Sequence, residues 1–144
     1  MRILKRVSKV AAWILAIVVG ILIAAYLGVS IMIGWGINKE SRSAMARFPG
    51  DRIEALTALV DCQDCKLEDR NHAVWALGQL RDKRALPVLY KYHTGKPCDH
   101  SRQICQYEIS KAIRWTEGNS FMLPQIWRVM VWDDRRSAAK NNPS

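Results

Sequence analysis

The sequence has no charged residue between Lys9 and Lys39, a gap of 29 residues in a chain of 144. That gap excludes a wholly water-soluble single domain. Its core runs, Trp13-Ile14-Leu15-Ala16-Ile17-Val18-Val19 and Ile21-Leu22-Ile23-Ala24-Ala25-Tyr26-Leu27, are apolar all round, and about 20 such residues carry a helix across the hydrocarbon core. Acidic residues are scarce, 13 Asp and Glu against 22 Lys and Arg, for a formal net charge of +9. From Lys39 onward the chain holds all 13 acids and 18 of the bases, a net charge of only +5. A clustered basic stripe of the kind that tracks phosphates is missing, so no nucleic-acid partner is expected. No stretch alternates apolar and polar residues long enough to make a strand, and there is no Gly-rich phosphate loop, nucleophile elbow or HExxH motif. Neither an enzyme nor a bound cofactor is expected, and catalytic residues are assigned to none.

What the chain does have begins with Val10–Ile37, read as one transmembrane helix in contact with the lipid bilayer, with Trp13 and Trp35 placed for its two interfaces. Gly20, Ala24 and Gly28 form a small-residue set suited to self-association of that helix. Arg2, Lys5, Arg6 and Lys9 precede it without an acid, whereas Lys39, Arg42 and Arg47 follow it, diluted by Glu40 and Asp51. The basic segment 1–9 is therefore expected in the cytoplasm and the bulk of the chain on the extracytoplasmic side, periplasmic if bacterial. Ala44-Met45-Ala46 fits a signal-peptidase site, but the apolar run is about twice the length of a signal h-region, which favours an uncleaved anchor.

Beyond the anchor, residues 38–50 read as a juxtamembrane linker ended by Pro49-Gly50. Asp51 followed by Glu54 is a capping-box start, and Ile53, Leu56, Leu59 and Val60 give a helix over 51–61. A second helix starts near Glu68-Asp69 with Ala73, Ala76, Leu77 and Leu80 on one face. A third spans 83–93 behind Asp82, and a fourth runs from Asp99 or Ser101 to Trp115 with Gly118 beyond its end. Phe121, Leu123, Ile126, Trp127 and Met130 make a fifth, and 133–144 reads as a disordered tail. The acid pairs Glu68-Asp69 and Asp133-Asp134 fall at a cap and in the tail. The fold class is all-α.

Asp82 stands five residues before Pro87 and Asn119 five before Pro124, each pair opening a helix directly after a longer one that begins at Arg70 or Arg102. With Arg70, Ala73, Trp75-Ala76-Leu77-Gly78, Leu80, Asp82, Ala85-Leu86-Pro87 and Leu89, residues 51–132 resemble the HEAT-like repeats, in particular the short bacterial, phycobilisome-lyase-type variety. The resemblance implies a short α-solenoid of about five helices, with Pro87 bending its helix one turn in, and a protein-binding scaffold. Glu108 and Ser110 stand where the better repeat has Ala76 and Gly78. Two repeats and a capping helix are fewer than usually stand alone, so the cysteines or a partner must add stability.

Cys62, Cys65, Cys98 and Cys105 lie within or beside the two intra-repeat loops, and superposing the repeats brings Cys65 near Cys98. Outside the cytoplasm the four read as two disulfides with three connectivities open. The alternatives are a zinc site of Cys62, Cys65, Cys98 and Cys105, with His100 as a substitute, or a thiol-redox pair at Cys62 and Cys65, where Asp61 and Asp64 oppose the thiolate. His72, His93 and His100 have no triad spacing. Trp75, Tyr90, Tyr92, Trp115, Trp127 and Trp132 exceed what five short helices bury easily and are the candidate partner-binding residues for a protein. Arg81, Lys83, Arg84, Arg135 and Arg136 could meet anionic lipid if the domain faced the cytoplasm.

Overall fold

The computed structural model describes residues 2–99 and 102–118. Among them the chain is all-α, with no strand: α1 (Arg2–Met45), α2 (Arg52–Asp61), α3 (Leu67–Leu80), a 3₁₀ turn (Lys83–Ala85), α4 (Leu86–Tyr92) and α5 (Gln106–Thr116). The expected fifth repeat helix, with Trp127 and Trp132, and the tail 133–144 lie outside the described residues.

At 1.5 Å per residue α1 is about 66 Å long, and from Lys9 on it is long and apolar enough to cross a membrane. It does not stop where the apolar run stops. The segment read as a linker is helical as far as Met45 and belongs to the core. Ser30, Gly34, Ile37, Ser41 and Ala44 are buried, a spacing of four and three that places them on one stripe; Ile37 and Ala44, with Ile33 against them, join the core where α1 packs on α2 and α3. Ile31, Met32 and Trp35, on the other side of the same turns, are 56%, 73% and 71% exposed. Polar contacts fix the seat: Arg52 Nη2 donates to Asn38 Oδ1 at 3.1 Å, and Arg47 Nη1 to Asp69 Oδ2 at 2.9 Å.

The chain turns at Gly50, whose φ of +107° suits glycine, and the Glu54 carboxylate fills the space a Cβ would need. Glu54 is there because it completes the capping box: Asp51 Oδ1 accepts from the Ile53 and Glu54 N–H groups, and Asp51 N–H donates to Glu54 Oε2 at 2.9 Å. α2 and α3 form one helical hairpin, and the 3₁₀ turn with α4 and α5 forms the next. α3 is central, packed on α1, α2 and α5. Its Gly78 faces Ala112 of α5 so closely that an added Cβ would stand 2.9 Å from the Ala112 Cα. Leu56, Leu77, Leu89 and Ile109 fill the space between the layers and are fully buried.

Two further expected elements differ. The helix expected over 83–93 is split, and Pro87 lies in the first turn of α4, where no hydrogen bond is lost, rather than bending a longer helix. The split follows from Asp82, which caps the 3₁₀ turn by accepting from Arg84 N–H at 3.0 Å. Arg84 also reaches Asp51 at 2.7 Å and Asp82 at 3.0 Å, tying the start of α2 to this turn. The fourth repeat helix begins at Gln106 behind Cys105, not behind Asp99 or Ser101.

Ile37→Ala is expected to lower the stability of the helical domain by about 2–4 kcal/mol, since it opens a cavity under a fully buried side chain. Ile31→Ala, on the exposed side of α1, is expected to leave it unchanged. Ser41 Oγ is buried without a partner, so Ser41→Ala should raise stability by about 1 kcal/mol. Thermal unfolding of the full chain in detergent, followed by circular dichroism, reads all three.

Candidate functional site

The chemically active side chains gather at one end of the domain, where the α2–α3 and α4–α5 loops lie together. The last turns of α2 and α4 and the first turns of α3 and α5 converge there. Asp61, a carboxylate at a helix C-terminus and so against the helix dipole, is held by Lys91 and by Tyr92 Oη, which donates at 2.7 Å. Those two contacts, Lys91 first, lower the Asp61 pKa and raise those of Lys91 and Tyr92. Gln63 Nε2 donates to the same Tyr92 oxygen at 2.6 Å. Arg70 is 7% exposed: its Nε donates to the Val60 carbonyl at 2.9 Å and its guanidinium lies 5.2 Å from the centre of the Tyr92 ring. A buried guanidinium thus satisfies a C-terminal carbonyl of α2 and covers an aromatic face.

The four cysteines sit in these loops as two local pairs. Cys62 and Cys65 form a disulfide with Cα atoms 5.4 Å apart, closing the α2–α3 turn. Cys98 Sγ lies 3.0 Å from Cys105 Sγ, Cys98 half-buried and Cys105 buried. The expected meeting of Cys65 with Cys98 across the repeat boundary is therefore corrected: both sulfurs have nearer partners within their own loops. The alternative zinc set of Cys62, Cys65, Cys98 and Cys105 is not gathered either, because two of its sulfurs are bonded to each other, and among the described residues no three His, Cys, Asp or Glu side chains converge.

The second pair is held from several sides. Cys105 N–H donates to Asn71 Oδ1 at 2.8 Å, crossing from one hairpin to the other. The Gln106 side chain, 5% exposed, accepts from Thr94 N–H at 2.7 Å and donates to the Tyr92 carbonyl at 3.0 Å. Tyr107 N–H, in the first turn of α5, donates to Cys98 Sγ at 3.2 Å. Contact with Cys105, and then this N–H, lower the Cys98 pKa; burial, and then contact with Cys98, raise that of Cys105.

The other candidates are dispersed. Trp75 lies half-buried over Gly36, its ring 3.3 Å from where a Cβ would stand, and with Glu40 and His72 it lines a shallow cleft of about 360 Å³ between α1 and α3. His72 Nδ1 is 3.7 Å from Glu40 Oε1. Trp115 is half-buried under Lys111, whose Nζ is 4.7 Å from the ring centre, and Tyr90 bonds through its hydroxyl to Glu117. His93 Nε2 is 3.1 Å from Ser110 Oγ, and His100 lies outside the described residues. Asn71, Gln106 and Tyr107 were not singled out by the sequence. Their signal is positional: each stands in the first turns of a helix beside a cysteine-bearing loop. No family model, no curated protein and no solved structure matches the chain.

Asp61, with its pKa depressed in the folded chain, stabilises the fold fully above its unfolded pKa, about 3.9. That contribution disappears as pH falls through the lower folded value. Between about pH 5 and pH 2 the melting temperature of the wild type is therefore expected to fall more steeply than that of Asp61→Asn. Equal slopes would show that the Lys91 and Tyr92 contacts add nothing.

Proposed function

We propose that this chain is a single-pass membrane protein whose small HEAT-like domain is seated on the extracytoplasmic face of the bilayer and binds another protein there. The observation that carries the reading is the double use of α1. Apart from the half-buried Tyr26, Val10–Val29 is exposed, about 30 Å of apolar helix that precedes Ile33, the first residue of α1 packed against the core, and matches the hydrocarbon core. Ile31, Met32 and Trp35 then lie at headgroup level on the side of α1 turned away from the domain, where an indole is favoured. No flexible linker intervenes, so the domain keeps one face toward the membrane and presents another outward.

The Cys62–Cys65 bond supports the extracytoplasmic side, since disulfides persist in oxidising compartments. The two successive hairpins, with α3 against α5, support the HEAT-like reading and through it a scaffold. Tyr90 and Tyr107, 50% and 63% exposed, are aromatic side chains of the kind that anchor protein interfaces.

Two measurements test the proposal in intact cells or spheroplasts. After mild reduction, a membrane-impermeant maleimide is expected to label the cysteines without lysis; labelling only after lysis would reverse the topology. A photo-crosslinking amino acid placed at Tyr90 or at Tyr107 is expected to yield a discrete adduct with another protein. Absence of adducts at both positions would remove the scaffold reading.

A further inference from the structure

The sequence directs redox chemistry to Cys62 and Cys65, but those sulfurs are bonded and flanked by Asp61 and Asp64. The second pair has different properties. We propose that Cys98 and Cys105 form a thiol–disulfide exchange site, with Cys98 the attacking and Cys105 the resolving sulfur, and with a disulfide as substrate.

The geometry divides the roles. Sulfur atoms 3.0 Å apart need to close by only about 1 Å to bond. Cys98 is the more accessible of the two and accepts the Tyr107 N–H, one of the donors that the first turn of an α-helix leaves without an internal partner. That donor and the adjoining helix terminus favour negative charge on Cys98. Cys105 is buried behind it and anchored through its backbone to Asn71, so it cannot meet a large substrate directly yet stands within reach of Cys98 Sγ. Gln106 braces the surrounding loop to α4, which keeps the pair aligned without the disulfide.

The steps balance as follows. The Cys98 thiolate attacks one sulfur of the substrate disulfide; that S–S bond breaks, a Cys98–substrate bond forms, and the other substrate sulfur leaves as a thiolate that takes a proton from water. Cys105 then gives up its proton to water and attacks Cys98 Sγ, forming the Cys98–Cys105 bond and expelling the second substrate sulfur as a thiolate. Two electrons pass from the cysteine pair to the substrate. Once Cys98 is in the mixed disulfide it no longer bears the charge that opposes ionisation of Cys105, so the first step prepares the second. Starting from the bonded pair, the same steps run in reverse and oxidise a dithiol.

The test uses the full chain in detergent, reduced and freed of reductant. With oxidised glutathione, Cys105→Ser is expected to hold a stable glutathione adduct at Cys98, identified by peptide mass mapping, whereas the wild type proceeds to the Cys98–Cys105 disulfide. Because Cys105→Ser removes a buried side chain, the reduced wild type is measured independently. Iodoacetamide at pH 7 is expected to modify Cys98 at least about tenfold faster than Cys105. Insulin as a second substrate separates the sources: turnover of insulin alone assigns polypeptide disulfides, and turnover of glutathione alone assigns small ones. Equal alkylation rates at Cys98 and Cys105, or a Cys98–Cys105 bond that persists in millimolar dithiothreitol under native conditions, would overturn the proposal and leave a structural cross-link.

Discussion

The seat of Ile33, Ile37 and Ala44 of α1 on α2 and α3 is the contact on which the rest of the structure depends. Two short helical hairpins bury little apolar surface by themselves, and a domain as small as Arg52–Thr116 has a poor ratio of core to surface. α1 supplies the missing layer. With it, α3 is enclosed by α1, α2 and α5, and the fully buried Ile37, Leu56 and Leu77 become parts of one core. The small residues matter as much as the large ones. Gly36 lets the Trp75 ring of α3 rest on α1, 3.3 Å from where a Cβ would stand, as Gly78 admits Ala112 on the other side of α3. In the proposed membrane arrangement, a sideways pull on the domain would act directly on the spanning helix.

The opposite end is built on different principles. There the elements are joined by charge and hydrogen bonds around helix termini: Arg70 on the Val60 carbonyl, Lys91 and Tyr92 on Asp61, Asn71 on the Cys105 N–H. Each satisfies a terminal backbone group or opposes a charge that the helix dipole disfavours, and each crosses between elements. This is an economical way to hold two loops together where little apolar surface exists. It also means that the loops are fixed whether or not Cys98 and Cys105 are bonded, a condition any reversible use of that pair requires.

Much of this was legible residue by residue. The capping box of Asp51 and Glu54, the turn at Gly50, the apolar face of α3 and the cap at Asp82 all follow from short-range rules, and the structure has each of them. The stripe on α1 was not legible, for a physical reason. In a segment apolar on every side, burial against protein and exposure to lipid call for the same residue types, so the period of the packed face is hidden. The start of α5 was misplaced because Asp99 and Ser101 are good capping residues, while the chain follows the long-range hold of Asn71 on Cys105. The expected approach of Cys65 to Cys98 failed in the same way: repeat superposition compares equivalent positions, whereas those sulfurs lie against neighbours within their own loops, one of the three connectivities left open.

The two ends also constrain how the molecule could work. Arg70 and Asn71 belong to the first turn of α3, and Trp75, one turn further on, already rests on Gly36 of α1. The cysteine loops and the α1 contact are thus joined by a single turn of the helix most deeply packed in the domain. Close packing transmits displacement rather than absorbing it. A partner that engaged the loop end would therefore meet a surface referenced to the helix, and in the proposed arrangement to the bilayer, with no hinge between. Such a unit suits holding a partner at a set height above the membrane better than reaching for it, and it is the continuity of α1 into the core, rather than any feature of the loops, that makes the distinction.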